Sequence, residues 1–168
     1  MSAHATTPVK SDNPNVVGIK HMAFAVKDAA KALEAYSRFL CVPTETKIME
    51  YQKSRNRVAL FDLGGIEYQL CQSMDPGGRF DAWIAERGGE GLHHICYAVD
   101  DIGKALAHAQ ANGARLRGCK GCGGIEGAHP HPEGYVAFLD NDAGGIEIEF
   151  MQVYTPAELE KYKQVKGI

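Results

Sequence analysis

His21, Gln69, His94 and Glu149 carry the chemistry that their types and placing make possible. Two imidazoles with an amide oxygen and a carboxylate make a borderline-hard donor set. Such a set suits Zn, Mn, Co, Ni or Fe and leaves positions open for water or substrate. Each of the four lies in a stretch that alternates as a strand does, so side-chain direction can be read from position. His21, Ala23 and Ala25 share one face, and His94, Cys96 and Ala98 share the corresponding one. Glu67 with Gln69, and Glu147 with Glu149, lie opposite the apolar faces Ile66, Tyr68, Leu70 and Ile146, Ile148, Phe150. Polar groups inside regular strands require water, a partner or a metal. For any one of them alone, a solvated sheet face suffices.

A repeat changes that weighting. Ile19 to Leu33 (IKHMAFAVKDAAKAL) overlays Leu92 to Leu106 (LHHICYAVDDIGKAL), which sets His21 on His94 and Asp28 on Asp101 at an offset of 73 residues. Gly64 to Leu70 (GGIEYQL) overlays Gly144 to Phe150 (GGIEIEF) at an offset of 80. Two matches in the same order argue for duplication, and loops absorb length differences readily. In a duplicated scaffold, a pseudo-twofold axis brings equivalent donors to one point. His94, which falls on His21, is then the expected ligand rather than His93.

The elements needed to position these residues follow from periodicity and turn chemistry. The first strand, Val17 to Val26, runs into Asp28 as N-cap and a helix to about Leu40, with Ala29, Leu33, Tyr36 and Leu40 on one apolar face. Strands are expected around Thr44 to Gln52, Asn56 to Leu63 and Ile66 to Cys71. The second copy gives a strand from Leu92 to Val99, a helix from Asp101 to about Asn112, and strands near Ala114, Tyr135 and Ile146. The fold class is therefore α+β, with βαβββ modules at 16–72 and 92–153. A flexible tail is expected at 1–15 and a linker with a short helix around Phe80 to Arg87 at 73–91. A C-terminal helix is expected at 154–168, opened by the capping box of Thr155 and Glu158.

Composition excludes several classes. A formal charge of −3, without a basic block, makes nucleic acid an unexpected partner. No apolar run has the roughly 18–20 residues that span a bilayer, and the first residues lack the apolar core of a signal peptide. A cytoplasmic protein is expected. Five cysteines do not suggest a disulfide framework; Cys41, Cys71 and Cys96 read as small buried hydrophobes. Cys119 and Cys122 form a C-x-x-C that, with His129 and His131, has the makings of a small zinc site, although His-x-His is tighter than common finger spacing. A Gly-rich loop covering a cavity, with His129 contacting substrate, is the other reading of that stretch. Phe80 and Trp83 are expected to pack the linker helix, His4 and His108 to face solvent, and Arg115 and Arg117 to be surface charge.

From Val16 to Val153 the chain resembles the vicinal-oxygen-chelate superfamily, which includes glyoxalase I, methylmalonyl-CoA epimerases and extradiol dioxygenases. That resemblance implies paired βαβββ modules forming a curved sheet around a metal, with His21, Gln69, His94 and Glu149 as ligands. Gln at the second position, the string GLHHICYAVDDI, and Gly127-Ala128-His129 followed by YVAFL look most like the epimerases. The implied activity is epimerisation of an acyl-CoA such as methylmalonyl-CoA through a metal-stabilised enolate, by a homodimer. Glu149 is one candidate base. RVALFDL lacks the glutamate the epimerases carry in the middle strands, which leaves Glu67, favoured for its direction, and Glu50 as candidates for the second. Asp140-Asn141-Asp142 stands where a His-Pro-Lys-like stretch is expected, removing positive charge that CoA recognition would use. The alternatives are an Fe(II) extradiol-type dioxygenase using a His-His-Glu triad, another glyoxalase-like lyase, and a non-catalytic binding module of the same fold.

Overall fold

Outward-facing aromatic and branched side chains fix the first module in a computed structural model that describes residues 16–43 and 45–167. Strand β1 (Val16–Ala25) turns Phe24 towards helix α1 (Ala29–Leu40) and buries Ala23 and Ala25 on the opposite, inner face. Asp28 caps α1 by accepting hydrogen bonds from the Ala30 and Lys31 N–H groups. Strands β2 (Ile48–Tyr51), β3 (Asn56–Leu63) and β4 (Ile66–Ser73) complete the module. The second copy runs β5 (Gly91–Val99), α3 (Ile102–Ala111), β6 (Leu116–Arg117), β7 (His129–His131), β8 (Gly134–Ala143) and β9 (Ile146–Val153). Helix α2 (Arg79–Arg87) lies between the copies, and α4 (Pro156–Lys166) follows them with its expected capping box formed. The tail at 1–15, with His4, lies outside the described residues, as do Thr44, Ile168 and the side chains at 141–143.

Among the described residues nine strands join one curved, open sheet in the order β2-β3-β4-β1-β5-β9-β8-β6, with β7 paired to β8. The duplication is visible in the register. The first and last strands of each module are parallel, with His21 opposite Glu67 and Ala23 opposite Gln69 in one, and His94 opposite Glu147 and Cys96 opposite Glu149 in the other. Where the copies meet, β1 and β5 run antiparallel, which sets the two histidine strands side by side. Strand β7 and the loop before it enlarge the second copy, as its longer offset anticipates.

Helices α1 and α3 cover the outer face with equivalent clusters, around Leu33, Phe61 and Leu70 in one copy and Leu106, Leu139 and Phe150 in the other. Each large apolar side chain buried there contributes on the order of 1.5–3 kcal/mol. The outer clusters can thus hold the fold while the inner face carries polar groups. The apolar face of α1 stops one turn early. Cys41 adopts φ +56, and this reversal sends Val42 rather than Leu40 into the core. Cys41 itself is exposed, unlike the buried Cys71 and Cys96. Among the described residues no helix is long and apolar enough to cross a membrane.

Candidate metal centre

Three of the four expected ligands meet at one point. His21 Nε2 lies 3.2 Å from His94 Nε2 and 3.2 Å from Glu149 Oε2, and His94 Nε2 lies 3.3 Å from the same oxygen. The three residues are 4–6% exposed. Ligands held about 2.0–2.2 Å from a divalent ion stand roughly 2.8–3.6 Å apart across octahedral and tetrahedral geometry, so the triangle fits such an ion. Its electrostatics fit as well. Among the described residues the ion-pair partners of Glu149 are the two histidines alone, and a buried carboxylate without a full positive charge costs several kcal/mol. Burial works to raise the Glu149 pKa. Hydrogen bonds and charge from His21 and His94 outweigh it, so the carboxyl is held well below the usual carboxylate range. Burial lowers the His94 pKa more than Glu149 raises it, which favours the neutral imidazole that metals bind.

Gln69 lines the same cavity, of about 250 Å³, with its Nε2 donating to Glu67 Oε1 at 2.7 Å. That bond commits the amide nitrogen and leaves the carbonyl oxygen as the end available to an ion. Glu67 also lines the cavity, and Glu50 does not. Glu50 is exposed on β2 and pairs with Arg57 at 2.9 Å. His129 is buried, with Nδ1 2.9 Å from the Gly127 carbonyl; His131, two residues on, lines the cavity in its place.

A bulge supplies a residue that sequence reasoning missed. The β1–β5 register slips by one between the Ala23–His94 and Phe24–Leu92 pairs, so His93 is the extra residue. Bulges re-aim side chains in this way, and both imidazoles end up buried and in contact. His93 Nδ1 is 2.8 Å from His94 Nδ1, and its Nε2 is 3.6 Å from Glu147 Oε1. If His94 offers Nε2 to an ion, its proton sits on Nδ1 and faces His93. Burial, then charge from His94, Arg79, Arg117 and Lys120, lowers the His93 pKa to about 2, so this partner stays uncharged. Two consecutive histidines in a strand were the available signal, because strict alternation would leave one on the wrong face.

Glu147 is 2% exposed and is answered by Arg117 and by Arg79 at 3.9 Å rather than by the cavity. Arg117 therefore reaches inward, whereas Arg115 pairs with Asp140 at 2.9 Å, as surface charge was expected to do. Arg79, Arg87, Arg117 and Lys120 line a neighbouring cavity of about 350 Å³, facing Glu86, Asp140 and Glu147. Burial and the nearby Arg117 and Arg79 charges lower the Lys120 pKa. The linker helix α2 shapes both cavities. Its first turn is fixed by Ser73 Oγ, which accepts from the Phe80 and Asp81 N–H groups at 3.0 and 3.2 Å. Gly78 permits this, since a Cβ there would stand 2.9 Å from the Ser73 side chain. Phe80 and Trp83 pack as expected, and their target is the His93 ring, at 5.2 and 5.3 Å.

Comparison with known proteins bears on the family and the fold. Residues 20–135 match a family model described as the Glyoxalase/Bleomycin resistance protein/Dioxygenase superfamily. An ethylmalonyl-CoA/methylmalonyl-CoA epimerase of Cereibacter sphaeroides is 30% identical over 137 residues, covering 80% of this chain and 97% of the relative. The crystal structure of methylmalonyl-CoA epimerase from Mycobacterium tuberculosis aligns with a TM-score of 0.66 at 22% identity, over 85% of this chain and 92% of that one. A Streptomyces coelicolor methylmalonyl-CoA epimerase variant in complex with 2-nitronate-propionyl-CoA aligns with a TM-score of 0.60 at 20% identity, over 83% and 99%.

Proposed function

Because this chain belongs to the glyoxalase/bleomycin resistance protein/dioxygenase superfamily, we propose that it is a metal-dependent isomerase that epimerises an acyl-CoA such as methylmalonyl-CoA. The observation that carries the reading is the convergence of His21 Nε2, His94 Nε2 and Glu149 Oε2 within 3.3 Å of one another. The names of the curated and structural relatives support the substrate class. His21, His94 and Glu149, with the Gln69 carbonyl oxygen, would hold one divalent ion of the Co, Zn, Mn, Ni or Fe group.

The substrate proton to be moved sits on a carbon between a carboxylate and a thioester. A bound divalent ion supplies Lewis-acid stabilisation of the charge that develops on their oxygens. Glu67, lining the cavity and oriented by the Gln69 amide, takes the proton from one face. Glu149 would be the second acid–base group, delivering to the other face a proton drawn from solvent while Glu67 passes the one it took up back to solvent, so that each turnover balances. Glu50 ranks behind Glu67 because it is paired with Arg57 on an exposed edge strand. The CoA phosphates would find their counter-charge at Arg79, Arg87, Arg117 and Lys120, in place of the positive charge missing around Asp140. A homodimer located in the cytoplasm completes the proposal, the assembly to be measured by analytical ultracentrifugation.

The test is wash-in of solvent deuterium at the reacting carbon of methylmalonyl-CoA, followed by NMR. Exchange that stops on chelation and returns with metal supports the proposal; exchange that is absent from the reconstituted protein overturns it. A second reading rests on the same triangle, since two histidines and one carboxylate also form the facial triad of Fe(II) oxygenases. Oxygen uptake by the Fe(II)-loaded protein with a catechol substrate, and no deuterium exchange, would select it.

A further inference from the structure

The expanded loop of the second module holds donors that the proposed epimerisation does not use. Cys119, Cys122 and His131 present ligand atoms that all lie within 4.8 Å of one another. Zinc bound to two sulfurs and a nitrogen in tetrahedral geometry separates its ligands by about 3.4–3.8 Å, so the three need only a small adjustment to share an ion.

The backbone around the C-x-x-C is folded for such a purpose. Cys119 opens a short 3-10 turn, Lys120–Cys122, and the chain then reverses at Gly123 with φ +76. The Cys119 carbonyl accepts from the Cys122 and Gly124 N–H groups at 3.1 and 2.9 Å, and a bridge between Cys119 and Ile125 closes the loop. Gly118 permits the closure, because a Cβ there would stand 2.8 Å from the Gly124 carbonyl oxygen. Burial and the neighbouring Cys122 thiol push the Cys119 pKa up to about 11. His131 arrives from β7, and His129 stays apart with its Nδ1 on the Gly127 carbonyl.

We propose that Cys119, Cys122 and His131 form a second metal site, for a soft or borderline divalent ion such as zinc, with its fourth position open. Cys119 and His131 line the cavity that holds His21, His94 and Glu149, so the open position can face that cavity. Binding releases the two thiol protons to solvent and changes no oxidation state. The ion would pin the loop over the inner face of the second module, where Cys119 already packs with Cys96, Val136, Phe138 and Met151.

The test is a cobalt(II) titration of the full-length, metal-stripped protein in reducing buffer, followed by absorption spectroscopy. The expected result is about two equivalents bound, with a thiolate-to-cobalt charge-transfer band in the near ultraviolet. The double variant Cys119→Ser/Cys122→Ser should lose that band and one equivalent. His21→Ala should lose the other equivalent and keep the band, so failure at either site can be told from failure at the other. No charge-transfer band in the reduced wild-type protein would overturn the proposal, as would a band that survives in the double variant.

Discussion

His93 and His94, adjacent in sequence, face each other through their Nδ1 atoms at 2.8 Å, because the one-residue bulge in β5 turns both rings to the inner face. Through this contact a buried, uncharged imidazole sets the tautomer of a proposed ligand and links it to Glu147 and Arg117. Partners of this kind are typically worth about 10–100-fold in metal affinity. We predict that His93→Gln weakens metal binding by roughly that factor in a competitive chelator titration, with circular dichroism unchanged. An unchanged affinity would remove His93 from the account.

Metal removal should register in stability. Glu149 is buried against two imidazoles, and an ion bound there at about 100 times its Kd stabilises the native state by roughly 2.7 kcal/mol. For a chain of this size that corresponds to a Tm shift of about 5–11 °C. Scanning calorimetry with and without chelator should find it, and equal Tm values would contradict it.

Glu67 and Glu50 separate as candidate bases by position. Glu67 lines the cavity, whereas Glu50 is held by Arg57 on the sheet edge. Glu67→Gln should slow deuterium exchange by about 10²–10⁴-fold while metal content is retained. Glu50→Gln should stay within about twofold of wild type. The reverse ranking would move the base to β2.

Thiol reactivity should follow burial. Cys41 is exposed beyond the end of α1, while burial pushes the Cys71 pKa up to about 12 and raises that of Cys96 further still. Brief alkylation of the native protein with iodoacetamide, mapped by mass spectrometry, should label Cys41 and spare Cys71 and Cys96. Early labelling of Cys96 would mean that the inner face is open to solvent.

The terminal helix should come loose without unfolding the rest. Helix α4 buries no residue and depends on the Thr155–Glu158 capping box. Bonds from the Thr155 N–H and hydroxyl lower the Glu158 pKa, so this contribution is complete above the ordinary glutamate value and is lost as pH falls through the folded one. Thr155→Ala, at a cost of about 1 kcal/mol, should speed amide exchange in α4 while Tm hardly moves. Lowering the pH from 6 towards 3 should do the same to the wild type.

The duplication made much of the fold legible from residues alone. His21 on His94 and GGIEYQL on GGIEIEF anticipated strand pairs of equal register, and alternation anticipated that His21, Gln69, His94 and Glu149 face inward. Where local order departs from regular alternation, the sequence was silent. The bulge at His93 depends on pairing with β1, and the inward reach of Arg117 depends on Glu147 being buried beneath α2. His129 and His131 lie on one face of a short strand, and only the path of the preceding loop decides that His131 reaches the cavity. Leu40 lost its expected place to Val42 because the chain reverses at Cys41, a position that more often takes glycine.

Anomalous diffraction from crystals of the zinc- or cobalt-loaded protein tests the central claim most directly. The account predicts a peak about 2.0–2.3 Å from His21 Nε2, His94 Nε2 and Glu149 Oε2, with the Gln69 carbonyl oxygen turned towards it. Crystals of the loaded protein with no ion between those two histidines and Glu149 would contradict it.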